Sequence, residues 1–495
     1  MPAGNADPLA QIDARAFGFF EARRLLLRAG FGGTPAQIRA LARLGPEGAV
    51  DAVLNYARIE YDPDTPETAE FRGDLVREWT RAEQQELRQA RIRQEEEAIA
   101  RFRERREEME RQDRRQIGLI IAWWMGRMIH SPRPAEEKLT LFWHGHFATS
   151  YRGVRNSYHM HMQNRLFRAH AAGNFGNLMR GIIRDPAMLE YLDNRRSRKG
   201  APNENLAREL MELFSLGTGH YREGDIKEGA RALTGYTFEG NRFVFDAQNH
   251  DRGGKTILGR VGNLDGDDFV GAILERRACA EFVSGKLHRF FSADAMPSED
   301  DRAPSRREEA IEGTARTLRR NRYELKPALR ELLLAREFYR ADAMRIKSPV
   351  ELVAQTARSL NTPTRRVNPL RRQLDVMGQL PMFPPNVAGW PGGTAWINTS
   401  TLFARQNAAA YLISGQLPGG GRHGREADLR PLLESMSREE VPGETDGERL
   451  CSLLLGDPGH PAGAEADRVL GRRPSREDVA HAAILITANP EYQLC

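Results

Sequence analysis

Tyr236-Thr237-Phe238-Glu239-Gly240-Asn241-Arg242-Phe243-Val244-Phe245 is the stretch on which the fold class turns. Aromatic and polar residues alternate on either side of a Glu-Gly-Asn turn, and a period of two puts alternate side chains on one face of a strand. The stretch reads as a β-hairpin. Nowhere else do the 495 residues alternate convincingly; apolar residues recur instead at the three- and four-residue steps of a helix. The expected fold is mainly α: a multi-helical globular protein with one small β-hairpin near 236–245 and a long charged helical arm.

Outward from the hairpin, residues 16–57 read as two or three short helices, with Thr34-Pro35 as a cap followed by proline at the first helical position. Residues 62–72 read as a loop. From Arg77 to Gln116 a charged segment without Gly or Pro predicts about 40 helical residues, some 60 Å long. Its apolar stripe (Ile92, Ile99, Phe102, Met109) is interrupted by Glu95 and Arg106, which argues against a sustained coiled coil. A solvated arm held by ion pairs between successive turns is the simpler reading. On the C-terminal side, Asp225 reads as a helix cap with Glu228 as its reciprocal partner. Phe383–Asn398 cannot be helical and reads as an ordered aromatic loop, and Gly415–Gly424 reads as a flexible link. The expected units are 1–72, N-terminal helices; 73–130, the arm running into the core; 131–414, the main helical body; and 425–495, a small helical appendage.

Charge says little about partners. Lys and Arg number 73 against 68 Asp and Glu, and acids lie among the bases almost everywhere, so no nucleic-acid face is expected. Three cysteines without CxxC spacing exclude a disulfide framework or a thiolate zinc site. The apolar run Ile117–Ile129 is interrupted by Arg127 and is too short to span a bilayer. No basic segment followed by an apolar one opens the chain, so the expected location is cytoplasmic.

Common catalytic motifs are also excluded. Gly254-Lys255-Thr256 ends like a phosphate-binding loop, but Asn249 stands at the first glycine position. Gly217-Thr218-Gly219 begins like a dinucleotide fingerprint, but Arg222 stands at its last glycine. A collection of histidines and carboxylates remains. His144 and His146 point the same way on an extended segment but about 200° apart on a helix, so they chelate one metal only if the chain is extended or broken at Gly145. His159 and His161 repeat the spacing in a segment that looks helical. Glu204, Arg208 and Glu212 fall at successive helical turns, read either as a surface ion-pair ladder or as a helix supplying a ligand or base. His250-Asp251 sits in a loop beside paired glycines, where functional residues concentrate.

These residues resemble the bacterial domain of unknown function 1800 family. The matching pieces are Leu25–Gly32, Phe142-Trp143-His144-Gly145-His146-Phe147, Asn203-Glu204-Asn205 through Gly217, Ala230–Gly235, His250-Asp251, Lys255-Thr256, Lys347-Ser348-Pro349 and Pro385–Gly393. The resemblance implies no established reaction. It implies relatives that are often exported and whose genes often neighbour a second family similar to alkaline-phosphatase-like hydrolases, a possible protein partner. The chain departs from those relatives in its long arm and in the lack of a visible export signal.

The expected function is a metal-dependent enzyme, with hydrolysis favoured. His144, His146, His250 and Asp251 would bind Zn, Mn or Fe. Glu204, Glu209 and Arg208 would act as catalytic groups, and Arg231 and Trp390 would hold an anionic substrate. The alternative is a non-catalytic scaffold or assembly protein acting through the aromatic loop and the arm.

Overall fold

A computed structural model describes residues 7–61, 71–293, 303–340, 344–362, 368–416 and 427–495. Most of the expected loop over 62–72 and of the expected link over 415–424 lies outside them. The chain is 63% helical, with 23 helices and two small antiparallel two-stranded sheets among the described residues. The mainly α expectation holds.

The first sheet is the expected hairpin. Tyr236 pairs with Phe245 and Glu239 with Arg242, and Tyr236 and Phe238 turn into the core. Gly235, just before it, has φ 79°, and a Cβ there would lie 2.4 Å from the carbonyl oxygen of Asp246, so only glycine lets the two ends of the hairpin close. The second sheet, Lys255–Ile257 with Arg260–Gly262, is an addition to the expectation. Its three-residue strands are too short to show a period, and its turn places Leu258 at φ 50°, an unusual residue for a left-handed position.

Helices form where the caps stand. Phe19–Ala29, Pro35–Ala42 and Gly45–Leu54 fill the N-terminal segment, and Thr34 and Gln37 cap the second reciprocally. Arg222 rather than Asp225 is the cap of Glu223–Ala232; Asp225 sits three residues on and accepts the Arg222 N–H, while Glu228 pairs with Arg231.

The arm differs most from expectation. Instead of one helix over 77–116 there are two, Arg81–Arg93 and Glu96–His130, broken where Gln94 adopts φ 57°. The chain doubles back there: Glu83 meets Arg105 at 2.8 Å, and the rings of Trp79 and Phe102 pack edge to face at 5.2 Å. A single charged helix would leave its thin apolar stripe in water, whereas the helical hairpin buries Ala90, Ala98 and part of that stripe. Its outer surface is almost wholly exposed, with Ile92 71% exposed beside the turn.

The second helix of the arm runs into the core with Ile120, Ile121 and Trp124. Against it lies Pro134–His146, opened by proline. This helix buries Glu136, Glu137 and Lys138, and the two deepest, Glu137 and Lys138, are each paired. Glu137 accepts from Arg127 at 2.7 Å, from Arg168 at 2.9 Å and from the Trp124 indole at 3.0 Å. Lys138 pairs with Glu351, which Arg345 also holds through two bonds at 2.6 and 2.9 Å. Glu351 in addition accepts the Ser348 N–H at 2.7 Å, capping the helix Pro349–Ser359. One carboxylate thus fixes a helix start and pairs with two buried cations, the physical reason for Ser348-Pro349 in the motif. The end of the chain packs beside it: Lys347 N donates to Gln493 O at 2.8 Å and Cys495 N to Arg345 O at 2.8 Å. Among the described residues no helix is long and apolar enough to cross a membrane.

Candidate functional site

The helix Pro134–His146 continues unbroken through Gly145, so His144 and His146 diverge. His144 turns towards Trp124 and the aromatic loop, where its Nε2 accepts the Met382 N–H at 3.0 Å. His146 turns the other way and its Nε2 donates to Phe214 O at 2.9 Å. Burial holds both imidazoles neutral, pushing each down to about 3, with Lys286 adding to the effect at His146. His146 Nδ1 is buried without a hydrogen-bond partner. His159 and His161 also diverge on their helix: His159 meets Gly240 O at 3.0 Å, and His161 packs between Phe71 and Trp123.

The other expected site residues form two further networks. His250 Nδ1 donates to Thr234 O at 2.8 Å, and Asp251 takes a two-pronged ion pair from Arg231 at 2.8 and 3.2 Å. Arg231 first, then burial and the Gly253 N–H, set the Asp251 carboxyl; the net effect is to hold it at about 2. Arg231 is committed as well to Glu228 and Gly254 O. On the helix Asn205–Glu212, Arg208 bridges Glu204 at 3.2 Å and Glu223 at 2.9 Å. Glu209 is half-buried and raised by that burial and by Glu212, and Glu212 accepts from the Tyr221 hydroxyl at 2.7 Å.

Among the described residues no three His, Cys, Asp or Glu side chains gather in a way that could hold a metal ion. The expected convergence of His144, His146, His250 and Asp251 does not occur there. The reasons are local: a continuous helix separates the first two, and Thr234 and Arg231 engage the others.

What does converge is the signature loop on the histidine helix. Gly389 has φ 80°, and a Cβ there would lie 2.2 Å from the carbonyl oxygen of Gly145, so the loop backbone rests directly on the last turn of the helix. This contact seats the Trp390 ring 5.5 Å from that of His144. Beside it opens a cavity of about 150 Å3 lined by Phe142, His146, Phe290, Trp390, Trp396 and Gly392-Gly393. Lys286, Arg289, Arg345 and Glu351 are its charged lining residues. Glu351 is saturated by Arg345, Lys138 and Ser348. Lys286 and Arg289, by contrast, form no ion pair among the described residues. Burial, then Arg289, lower the Lys286 ammonium, and no carboxylate offsets them. The cavity therefore combines flat aromatic walls with an excess of positive charge. A larger open groove of about 890 Å3, by Tyr221, Thr256 and Arg277, is different: Arg277 pairs with Glu281 and Glu312, and Asp225 is taken up by backbone N–H groups.

Of the expected site residues, His146 and Trp390 share this cavity. Lys286 and Arg289 were not among the expected residues, although the sequence carried a signal for them. On the helix Arg277–Phe291 neither has an acid three or four positions away, whereas Arg277 has Glu281.

Comparison with curated proteins gave no match, nor did comparison with solved structures. Residues 24–494 match the family model described as Protein of unknown function (DUF1800), and since that span is nearly the whole chain, the protein belongs to the DUF1800 family.

Proposed function

We propose that the protein is a small-molecule-binding protein whose ligand enters the cavity between the Trp390 loop and the helix Pro134–His146. One observation carries this reading: three segments distant in sequence (Phe142–His146, Arg345–Glu351 and Trp390–Trp396) meet around a single cavity instead of closing it. Signature residues serving stability alone would pack such a space at the density of a protein interior. A concave, largely aromatic space with a few polar groups is the usual form of a ligand site. Hydrogen exchange tests the reading. Small aromatic probes such as benzoate and benzamide should slow exchange at residues 142–146 and 388–397 together, and Trp390→Ala should remove the protection. Unchanged exchange with every probe would contradict the reading.

Metal-dependent hydrolysis would need a donor set other than the one expected from sequence, and elemental analysis of purified protein tests it: stoichiometric metal would support it. The assembly-protein reading rests on a separate observation, the exposed helical hairpin of the arm with Ile92 beside its turn. Replacing residues 84–107 by a short Gly-Ser turn should leave the body folded and abolish association with a partner such as the phosphatase-like neighbour. Unchanged association would discard that reading.

A further inference from the structure

We infer that the ligand of this cavity is a small aromatic acid, bound with its ring between Phe290 and Trp390 and its anionic group at Lys286. The inference rests on the binding reading above and adds the chemical class. Size comes first. A cavity of about 150 Å3 matches in size one that holds a single benzene ring. Shape comes next, since Phe142, Phe290, Trp390 and Trp396 present flat surfaces, with Gly392-Gly393 between the two tryptophans leaving room for a planar group.

Charge decides the class. The buried cations beside the cavity have acceptors: Arg345 and Lys138 share the Glu351 carboxylate, and Lys347 donates to the carbonyl oxygen of Tyr492. Lys286 and Arg289 stand one helical turn apart on the cavity wall without an ion pair among the described residues, and Arg289 adds to the cost of charging Lys286. The Lys286 ammonium lies 5.3 Å from the Phe282 ring, a partner that stabilises a cation without neutralising it. An anion at this point relieves both. A half-buried ammonium in an aromatic setting favours a charged oxygen over a neutral amide of the same shape.

Calorimetric titration of the full chain tests the class with benzoate, its isostere benzamide, and inorganic phosphate. Benzoate should bind at least tenfold more tightly than benzamide and more tightly than phosphate, with affinity falling as salt rises. Lys286→Met should erase the preference over benzamide, and exposed Arg289→Gln, a variant with little bearing on folding, should reduce it severalfold. Equal binding of benzoate and benzamide would overturn the anionic class while leaving the cavity a binding site. Phosphate binding as tightly as benzoate would overturn the aromatic part. Absence of binding by any of the three, with Trp390 exchange unprotected, would remove the cavity reading and this inference together.

Discussion

Two groups of cations stand by the cavity. In the first, Lys138 and Arg345 lie over the Phe290 ring at 5.6 and 5.8 Å and share the Glu351 carboxylate. In the second, Lys286 and Arg289 line the cavity with no carboxylate among the described residues. The same chemistry thus serves two ends. A buried charge with a partner braces helices, because removing the partner leaves an uncompensated ion. A half-buried charge without one adds nothing to folding and holds its electrostatic interaction in reserve for a ligand. Ser348 of the signature motif Lys347-Ser348-Pro349 joins the first group through Glu351, which accepts its N–H. Trp390 and Gly389 shape the space beside the second.

The largest effect should come from the braced side. Glu351→Gln leaves Lys138 and Arg345 in the interior without a counter-charge while keeping the cap, so a loss of about 3–5 kcal/mol is expected in urea unfolding. A loss below about 1 kcal/mol would erase the distinction between the two groups. His144→Ala should cost about 3 kcal/mol, since the buried Met382 N–H loses its acceptor and the Trp124 and Trp390 rings lose a neighbour. An unchanged melting temperature together with lost activity would return His144 to a catalytic role.

Acidity should act through the same buried groups with opposing signs. His144, His146 and His161 are held at about 3 by burial, so below their ordinary 6.5 the unfolded chain takes up protons that the fold refuses. Their contribution is complete above that value and is lost as pH falls towards 3, about 2 kcal/mol each at pH 5. Asp185, raised by burial to about 7, works the other way: ionised in the unfolded chain but proton-bound in the fold, it regains roughly 3 kcal/mol between pH 7 and pH 5. With His288, held at about 4 by burial, adding a similar loss, the net expectation is a loss of about 5 kcal/mol at pH 5, measured by urea midpoints. A gain in stability would mean that these histidines are not buried neutral.

The smallest effect on stability should come from the unbraced side. Lys286→Met removes a charge that no carboxylate balances, so unfolding should shift by no more than about 0.5 kcal/mol, in either direction. A loss comparable to that of Glu351→Gln would show that Lys286 has a structural partner.

The legibility of the sequence follows the range of the forces involved. Tyr236–Phe245 alternates and forms the hairpin; Thr34 precedes proline and caps its helix. These signals are local. The break at Gln94 has no Gly or Pro to announce it, because it arises from the gain in folding Trp79 back on Phe102. Asp225 reads equally well as a cap or as its reciprocal partner, and the difference of three residues is set by where the chain enters from Tyr221. Of the expected site residues, His146 and Trp390 line the cavity. The expected ligand set failed where it needed His144 and His146 to converge, and a helix uninterrupted by Gly145 separates them. Lys286 and Arg289 are legible only through what is absent, an acid one turn away, and that absence acquires meaning once the fold places a cavity beside them.

The most direct measurement is a crystal soaked with 4-bromobenzoate and exposed at the bromine absorption edge. Wild-type protein should show its strongest anomalous peak between Phe290 and Trp390, with the carboxylate at Lys286, and Lys286→Met crystals should lose that peak. An empty cavity in the wild-type crystal, or an undiminished peak in the variant, would contradict the assignment of the unpaired cations to a ligand.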